Sequence, residues 1–276
     1  MGAGIAQVVA LAGLEARLHD VSSEALGRGV ERIRSQIEEG VKRGKVAQDQ
    51  ADRARGLLTG RDDMAAAVAG ADLVIEAVPE VLELKRATFE ALDRLCPSPA
   101  IMATNTSSLP IGTIASALAD PSRAVGLHFF NPPHIMKLVE VVRGERTSDE
   151  VLAATRAFVA LIGKTSIVVK DSPGFATSRL GLALGLEAMR MVEAGVASAA
   201  DIDLAMELGY GHPMGPLKVS DLVGLDVRLS IAEILHRELR QEQFRPPEIL
   251  RRLVAEGRLG KKAGQGFHRW DDKKPS

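Results

Sequence analysis

The chain reads as an α/β domain with an open, largely parallel sheet covered on both faces, followed by an all-helical domain. Three observations predict this. Short apolar runs alternate with amphipathic helical stretches from residue 16 to residue 169, the pattern of strands joined by covering helices. No strand-like run occurs after Lys170-Asp171-Ser172-Pro173-Gly174. The change there sets the boundary near Asp171, with one domain at 1–171 and a second at 172–276.

Residues 2–13 form the first predicted helix, because Ile5, Val8, Val9 and Ala12 recur at helical spacing before Gly13. Ala16 to Asp20 is a strand. Ser22 is an N-cap for a long helix to about Gly44, and a shorter helix covers 48–55. Strands follow at 73–78, 101–104, 125–129, 138–142 and 166–169, and helices at 83–95, 111–118 and 150–163. The second domain reads as helices over 175–195, 199–208, 215–239 and 246–256, with a frayed polar tail at 271–276.

Composition excludes several classes. Of 276 residues, 46% are hydrophobic and only 3% aromatic, so the core is aliphatic. The formal net charge of -1 provides no field for nucleic acid or an anionic membrane, and an anionic ligand needs a local cluster of donors. The most apolar stretch, 180–192, is interrupted by Glu187 and Arg190 and is too short to span a bilayer. The single cysteine, Cys96, permits no internal disulfide and fits a reducing, cytoplasmic setting.

Chemistry enters through four places. Gly2 and Gly4 open the first helix, as where a dinucleotide pyrophosphate meets a helix N-terminus. Asp20 ends the next strand, where a carboxylate accepts from ribose hydroxyls; with no arginine nearby, NAD is favoured over NADP. Read alone, Asp20 serves equally to start a turn. Asn105-Thr106-Ser107-Ser108 follows a strand, on the side where such sheets hold ligands. His128 also ends a strand, and Glu140 lies within the apolar run 138–142, where a carboxylate needs a donor or cation. Folding back the intervening loop would pair the two, as for an oriented general base.

His128-Phe129-Phe130-Asn131-Pro132, followed by Met136-Lys137-Leu138-Val139-Glu140-Val141-Val142, resembles the signature of the 3-hydroxyacyl-CoA dehydrogenase family. The similarity runs in order through Asn105 to Ser108, Asp171 to Phe175, Gly211-His212-Pro213-Met214-Gly215-Pro216 and Gly260 to Phe267. It implies a Rossmann-type doubly wound sheet, NAD as cofactor, an acyl-CoA substrate and a homodimer, with no nucleic-acid or membrane partner. It implies His128 as catalytic base, Glu140 as its partner, and Ser107 and Asn131 at the substrate oxygen. NAD contacts would fall on Gly2, Asp20, Glu80, Lys85, Asn105 and Lys262, and CoA contacts near Arg43 and Lys45. Arg43, Lys45, Lys85 and Lys262 read equally as solvated basic side chains.

Two departures qualify the resemblance. The family has Asn-Arg after the Pro-Gly-Phe segment; here Ser178-Arg179 stands there, one donor without the amide. The family also begins with a strand and a Gly-x-Gly-x-x-Gly turn, of which Met1-Gly2 matches only the end. The sheet is therefore expected to lack its first strand, which lies at its centre. Weak NAD binding and aggregation are the expected consequence, with about 12 to 20 upstream residues restoring a strand and turn. Two alternatives stand beside the acyl-CoA reading: a sugar-acid, gulonate-type dehydrogenase of the same fold, and a non-catalytic fragment.

Overall fold

The computed structural model describes residues 1–96 and 99–270, so the polar tail at 271–276 lies outside the described residues. The chain divides into two compact units, Met1–Ser172 and Pro173–Ser276.

The first unit alternates α1 (Gly2–Leu11), β1 (Ala16–His19), α2 (Ser23–Lys42), α3 (Gln48–Leu57), β2 (Leu58–Arg61) and α4 (Met64–Val68). It continues with β3 (Leu73–Glu76), α5 (Leu82–Leu95), β4 (Ile101–Thr104), α6 (Ile111–Ala115), β5 (Ala124–Phe129), β6 (Leu138–Arg143), α7 (Asp149–Leu161) and β7 (Thr165–Lys170). Capping explains where helices start. The Ser22 hydroxyl accepts from the amide of Ala25 at 3.2 Å, and the Ser148 hydroxyl from Val151 at 3.2 Å. Sequence reading passes over β2 and α4.

The strands form two sheets. β1 and β2 pair in parallel, and β3-β4-β5-β6-β7 form a separate five-stranded sheet. The sheet is thus interrupted between β1 and β3. All pairs in the larger sheet are parallel except β5 with β6. The connection at 130–137 is too short for the crossover that a parallel pair needs, so the chain turns back as a hairpin.

Helix α1 ties the two sheets together. Its Ile5 and Val8 pack with Val125, Leu127, Val139, Val141 and Val159 on one face of the larger sheet. Its Ala6 and Ala10 join Ala16, Ile33, Ile37, Ala51, Ala54 and Leu58. The opposite face of the larger sheet is covered by Phe89 and Leu92 of α5 and Ile114 of α6, around Met102. Burying each large side chain of this kind stabilises by about 1.5–3 kcal/mol.

The second unit contains α8 (Thr177–Glu193), α9 (Ala199–Gly209), α10 (Pro216–Val223), α11 (Leu225–Leu239) and α12 (Glu248–Ala255). The single helix expected over 215–239 is two, because Gly224 adopts φ 104° between them. Two fully buried aspartates organise this unit. Asp203 accepts from the amides of Leu217 (2.8 Å) and Lys218 (3.0 Å) at the start of α10, and pairs with His268 Nε2 at 2.8 Å. Asp221 accepts from the amides of Phe267 (3.0 Å) and His268 (2.9 Å) and from the indole of Trp270 (2.9 Å). A β-carbon at Gly215 would overlap Asp203, and one at Gly260 or Gly266 would overlap Asp221. Among the described residues, no helix is long and apolar enough to cross a membrane.

Candidate active site

The carboxyl ends of β3, β4 and β5 lie at one edge of the larger sheet, as their parallel pairing requires. This is the edge where open α/β sheets hold ligands.

His128 and Glu140 stand directly opposite one another in the β5–β6 ladder. Side chains at opposed positions of an antiparallel pair project to the same face. His128 Nδ1 accordingly lies 2.7 Å from Glu140 Oε2. Glu140 is 0% exposed and His128 7%. A buried carboxylate at this distance fixes the imidazole plane and tautomer. The Phe130 ring lies 4.6 Å from the imidazole, centroid to centroid. Two residues before His128, a β-carbon on Gly126 would collide with Val142 and Ile111, so glycine lets the hairpin close against α6.

Asn131 begins the loop after β5, is exposed, and precedes a cis peptide to Pro132. Lys164 clasps this loop through hydrogen bonds from Nζ to the carbonyls of Pro133 and Met136, each 2.6 Å. Burial pushes the Lys164 ammonium below its ordinary value. Asn105 is tied to β5 as well: its Oδ1 accepts from the amide of Phe129 at 2.9 Å.

Glu80 gathers the Thr106–Ser108 turn. One of its oxygens, Oε1, accepts from the hydroxyl of Thr106 (2.6 Å), the amide (2.8 Å) and hydroxyl (3.2 Å) of Ser107, and the amide of Ser108 (3.1 Å). Burial would raise the Glu80 carboxyl, but the bonds from Thr106 and Ser107, with the ammonium of Lys85, hold it below its ordinary value.

Lys85 departs from both readings made of it. It is neither a solvated cation nor an open cofactor contact. The residue is 0% exposed, with Nζ 2.8 Å from Glu76 Oε1, 3.2 Å from the carbonyl of Val78 and 3.4 Å from Glu80 Oε2. Glu76, which sequence reasoning missed, completes the group. Its Oε2 accepts from Thr104 Oγ1 at 2.7 Å and its Oε1 from the amide of Val78 at 2.7 Å. The signal that exposed Glu140, a carboxylate inside an apolar strand, was equally present in Leu73-Val74-Ile75-Glu76.

The features that suit a dinucleotide lie on α1 and β1. The N-terminus of α1 has no side-chain cap and no acidic residue in its first turn. A β-carbon at Gly2 would stand 3.7 Å from Leu18 and 3.8 Å from Ala77, which places this helix start between the ends of β1 and β3. Unfilled amides at a helix start fit an anionic pyrophosphate. Asp20 is exposed just beyond β1, and its Oδ1 accepts from the amide of Ser22 at 3.0 Å. These residues fit NAD. Arg43 and Lys45 sit at the turn between α2 and α3, both exposed, with Arg43 paired to Glu39 at 2.6 Å. In the second unit, Ser178 occupies the first turn of α8, and Lys262 Nζ lies 2.6 Å from Asp226.

Comparison with known proteins agrees with this architecture. The family model described as 3-hydroxyacyl-CoA dehydrogenase, NAD binding domain, matches residues 1–172. The model of the C-terminal domain of the same enzymes matches residues 174–270. A probable 3-hydroxybutyryl-CoA dehydrogenase of Bacillus subtilis is 42% identical over 273 residues, 99% of this chain and 95% of that protein. The crystal structure of M. tuberculosis FadB2 is similar with a TM-score of 0.92 at 42% identity, covering 98% of this chain and 95% of that one. (S)-3-Hydroxybutyryl-CoA dehydrogenase PaaH1 from Ralstonia eutropha is similar with a TM-score of 0.95 at 36% identity, covering 99% and 96%.

Proposed function

The chain belongs to the 3-hydroxyacyl-CoA dehydrogenase family of NAD-dependent oxidoreductases, and from that premise we propose that it interconverts a (3S)-3-hydroxyacyl-CoA and a 3-ketoacyl-CoA, with His128 as base and acid. The observation that carries the assignment is the 2.7 Å contact between His128 Nδ1 and the buried carboxylate of Glu140.

With Nδ1 committed to Glu140, Nε2 takes the proton of the 3-hydroxyl during oxidation and returns it during reduction. NAD, when bound, supplies the acceptor for the hydride that leaves C3. Glu140 holds the ring in the productive tautomer and stabilises the imidazolium. Ser107 and Asn131 position the substrate oxygen, and Ser178 provides a hydroxyl where relatives have an amide. Asp20 binds the adenosine ribose, the amide of Gly2 the pyrophosphate, and Asn105, Glu80 and Lys262 complete the cofactor contacts. Arg43 and Lys45 approach the anionic end of CoA. A homodimer through the helical unit accounts for its apolar surface, since Leu208 is 78% exposed and Tyr210 80%.

The test is His128→Gln, assayed with acetoacetyl-CoA and NADH. Turnover should fall by about 10² to 10⁴ while NADH affinity, followed by fluorescence, stays within about twofold. Near-normal turnover would refute the assignment. Gulonate, tried in parallel as substrate for oxidation, should support no comparable rate.

A further inference from the structure

Glu76, Lys85 and Glu80 form a chain of charges beneath the turn that carries Ser107. Lys85 and Glu76 are each fully buried, and a buried ammonium persists only when paired and hydrogen-bonded. Glu76 meets that need at 2.8 Å and is itself braced by Thr104, its register partner on β4. The longer 3.4 Å contact of Lys85 then falls on Glu80, whose side chain remains 36% exposed. Two carboxylates share one cation, so Glu80 retains its charge and uses it on the Ser107 turn. It binds both the amide and the hydroxyl of Ser107, which fixes backbone and side chain together.

We propose that Lys85 and Glu76 are positioning residues that act on the substrate through Glu80 and Ser107. This rests on the reading of Ser107 as a substrate contact. Glu80 fixes where the Ser107 oxygen stands, and the hydroxyl proton, which turns about its C–O bond, donates to the substrate oxygen when substrate is bound. The single proton of the 3-hydroxyl is then left for His128. The buried pair prevents Glu80 from rotating away and releasing the Ser107 oxygen.

A double-mutant cycle tests this, using the full chain, 3-hydroxybutyryl-CoA and NAD. Lys85→Met should lower kcat/KM by about 10- to 100-fold, the scale of a misplacement of roughly 1 Å at a reacting centre. In a Ser107→Ala background the same change should add less than about threefold, because the two act in series. Independent, multiplying effects would overturn the proposal, as would a loss of NADH affinity large enough to account for the decline. Near-normal kcat/KM in Ser107→Ala alone would overturn the reading of Ser107 and the proposal with it. If Lys85→Met shows no cooperative thermal transition, Glu76→Gln, which keeps shape and size, takes its place in the cycle. Failure of both variants to fold would assign the network to stability and overturn the positioning role.

Discussion

Glu140→Gln separates a charge from a shape. Glutamine keeps the volume of the side chain in a site that is 0% exposed, so no cavity opens. What is lost is the negative charge 2.7 Å from His128 Nδ1. A hydrogen bond to a charged partner contributes about 1.5–3 kcal/mol. At roughly 1.4 kcal/mol per decade this corresponds to a fall of about 10- to 150-fold in kcat, less than the loss expected for His128→Gln. The loss should appear in kcat and kcat/KM alike, because the imidazolium that Glu140 stabilises develops only in the transition state. Stability should change little, since removing a buried charge also removes its desolvation cost. The assay is steady-state oxidation of 3-hydroxybutyryl-CoA with NAD, alongside a thermal melt. A rise in KM at unchanged kcat would show that Glu140 contributes to binding and not to proton transfer. A rate within about threefold of the parent, in a protein that melts normally, would refute the charge argument altogether.

Further outcomes follow from other parts of the site. Ser178→Ala should lower kcat/KM by about fivefold, equivalent to one hydrogen bond of about 1 kcal/mol, and Ser178→Asn should be tolerated; an unchanged kcat/KM in Ser178→Ala would show that the site does without this hydroxyl. Because Asp20 would repel a 2′-phosphate, kcat/KM with NAD should exceed that with NADP, and equal values would remove Asp20 from that role. The Glu80 carboxyl is held below its ordinary 4.5 in the folded chain, so the stability it contributes is present above that pH and disappears as pH falls through the folded value. The difference in thermal midpoint between the parent and Glu80→Gln should therefore hold steady above 4.5 and shrink as pH falls below it; a constant difference would contradict the ionised role of Glu80.

What could be read from the sequence follows from how local each signal is. Apolar runs such as Val125 to Phe129 and Leu138 to Val142 become strands because nothing in them competes. Glu140 stood out because its charge broke such a run, and the short loop at 130–137 made its pairing with His128 a matter of hairpin register. β2 was hidden because Leu58-Thr59-Gly60-Arg61 has no apolar alternation; it is held by its ladder with β1, a contact far off in sequence. α4 has only five residues, and its visible cue was the cap from Asp63 to the amide of Ala66. The break at Gly224 interrupts an otherwise continuous helical period, at a place where the Lys262 ammonium approaches the backbone. Lys85 was misread because its burial depends on two carboxylates, Glu76 at the end of β3 and Glu80 in the loop after it, and periodicity carries no information about that.

The indole bound to Asp221 gives the molecule a built-in spectroscopic handle. Trp270 is the only tryptophan, so emission excited at the red edge arises from the helical unit and not from the nucleotide-binding one. Its N–H is committed to a buried aspartate, and the Lys261 ammonium lies 5.4 Å from the centre of its ring. Both would be exchanged for water when the segment detaches, with a shift of the emission maximum. Fluorescence thus follows loosening of the helical unit, while circular dichroism follows helix and sheet in both units. Each unit's melting can be watched in one sample without adding a label.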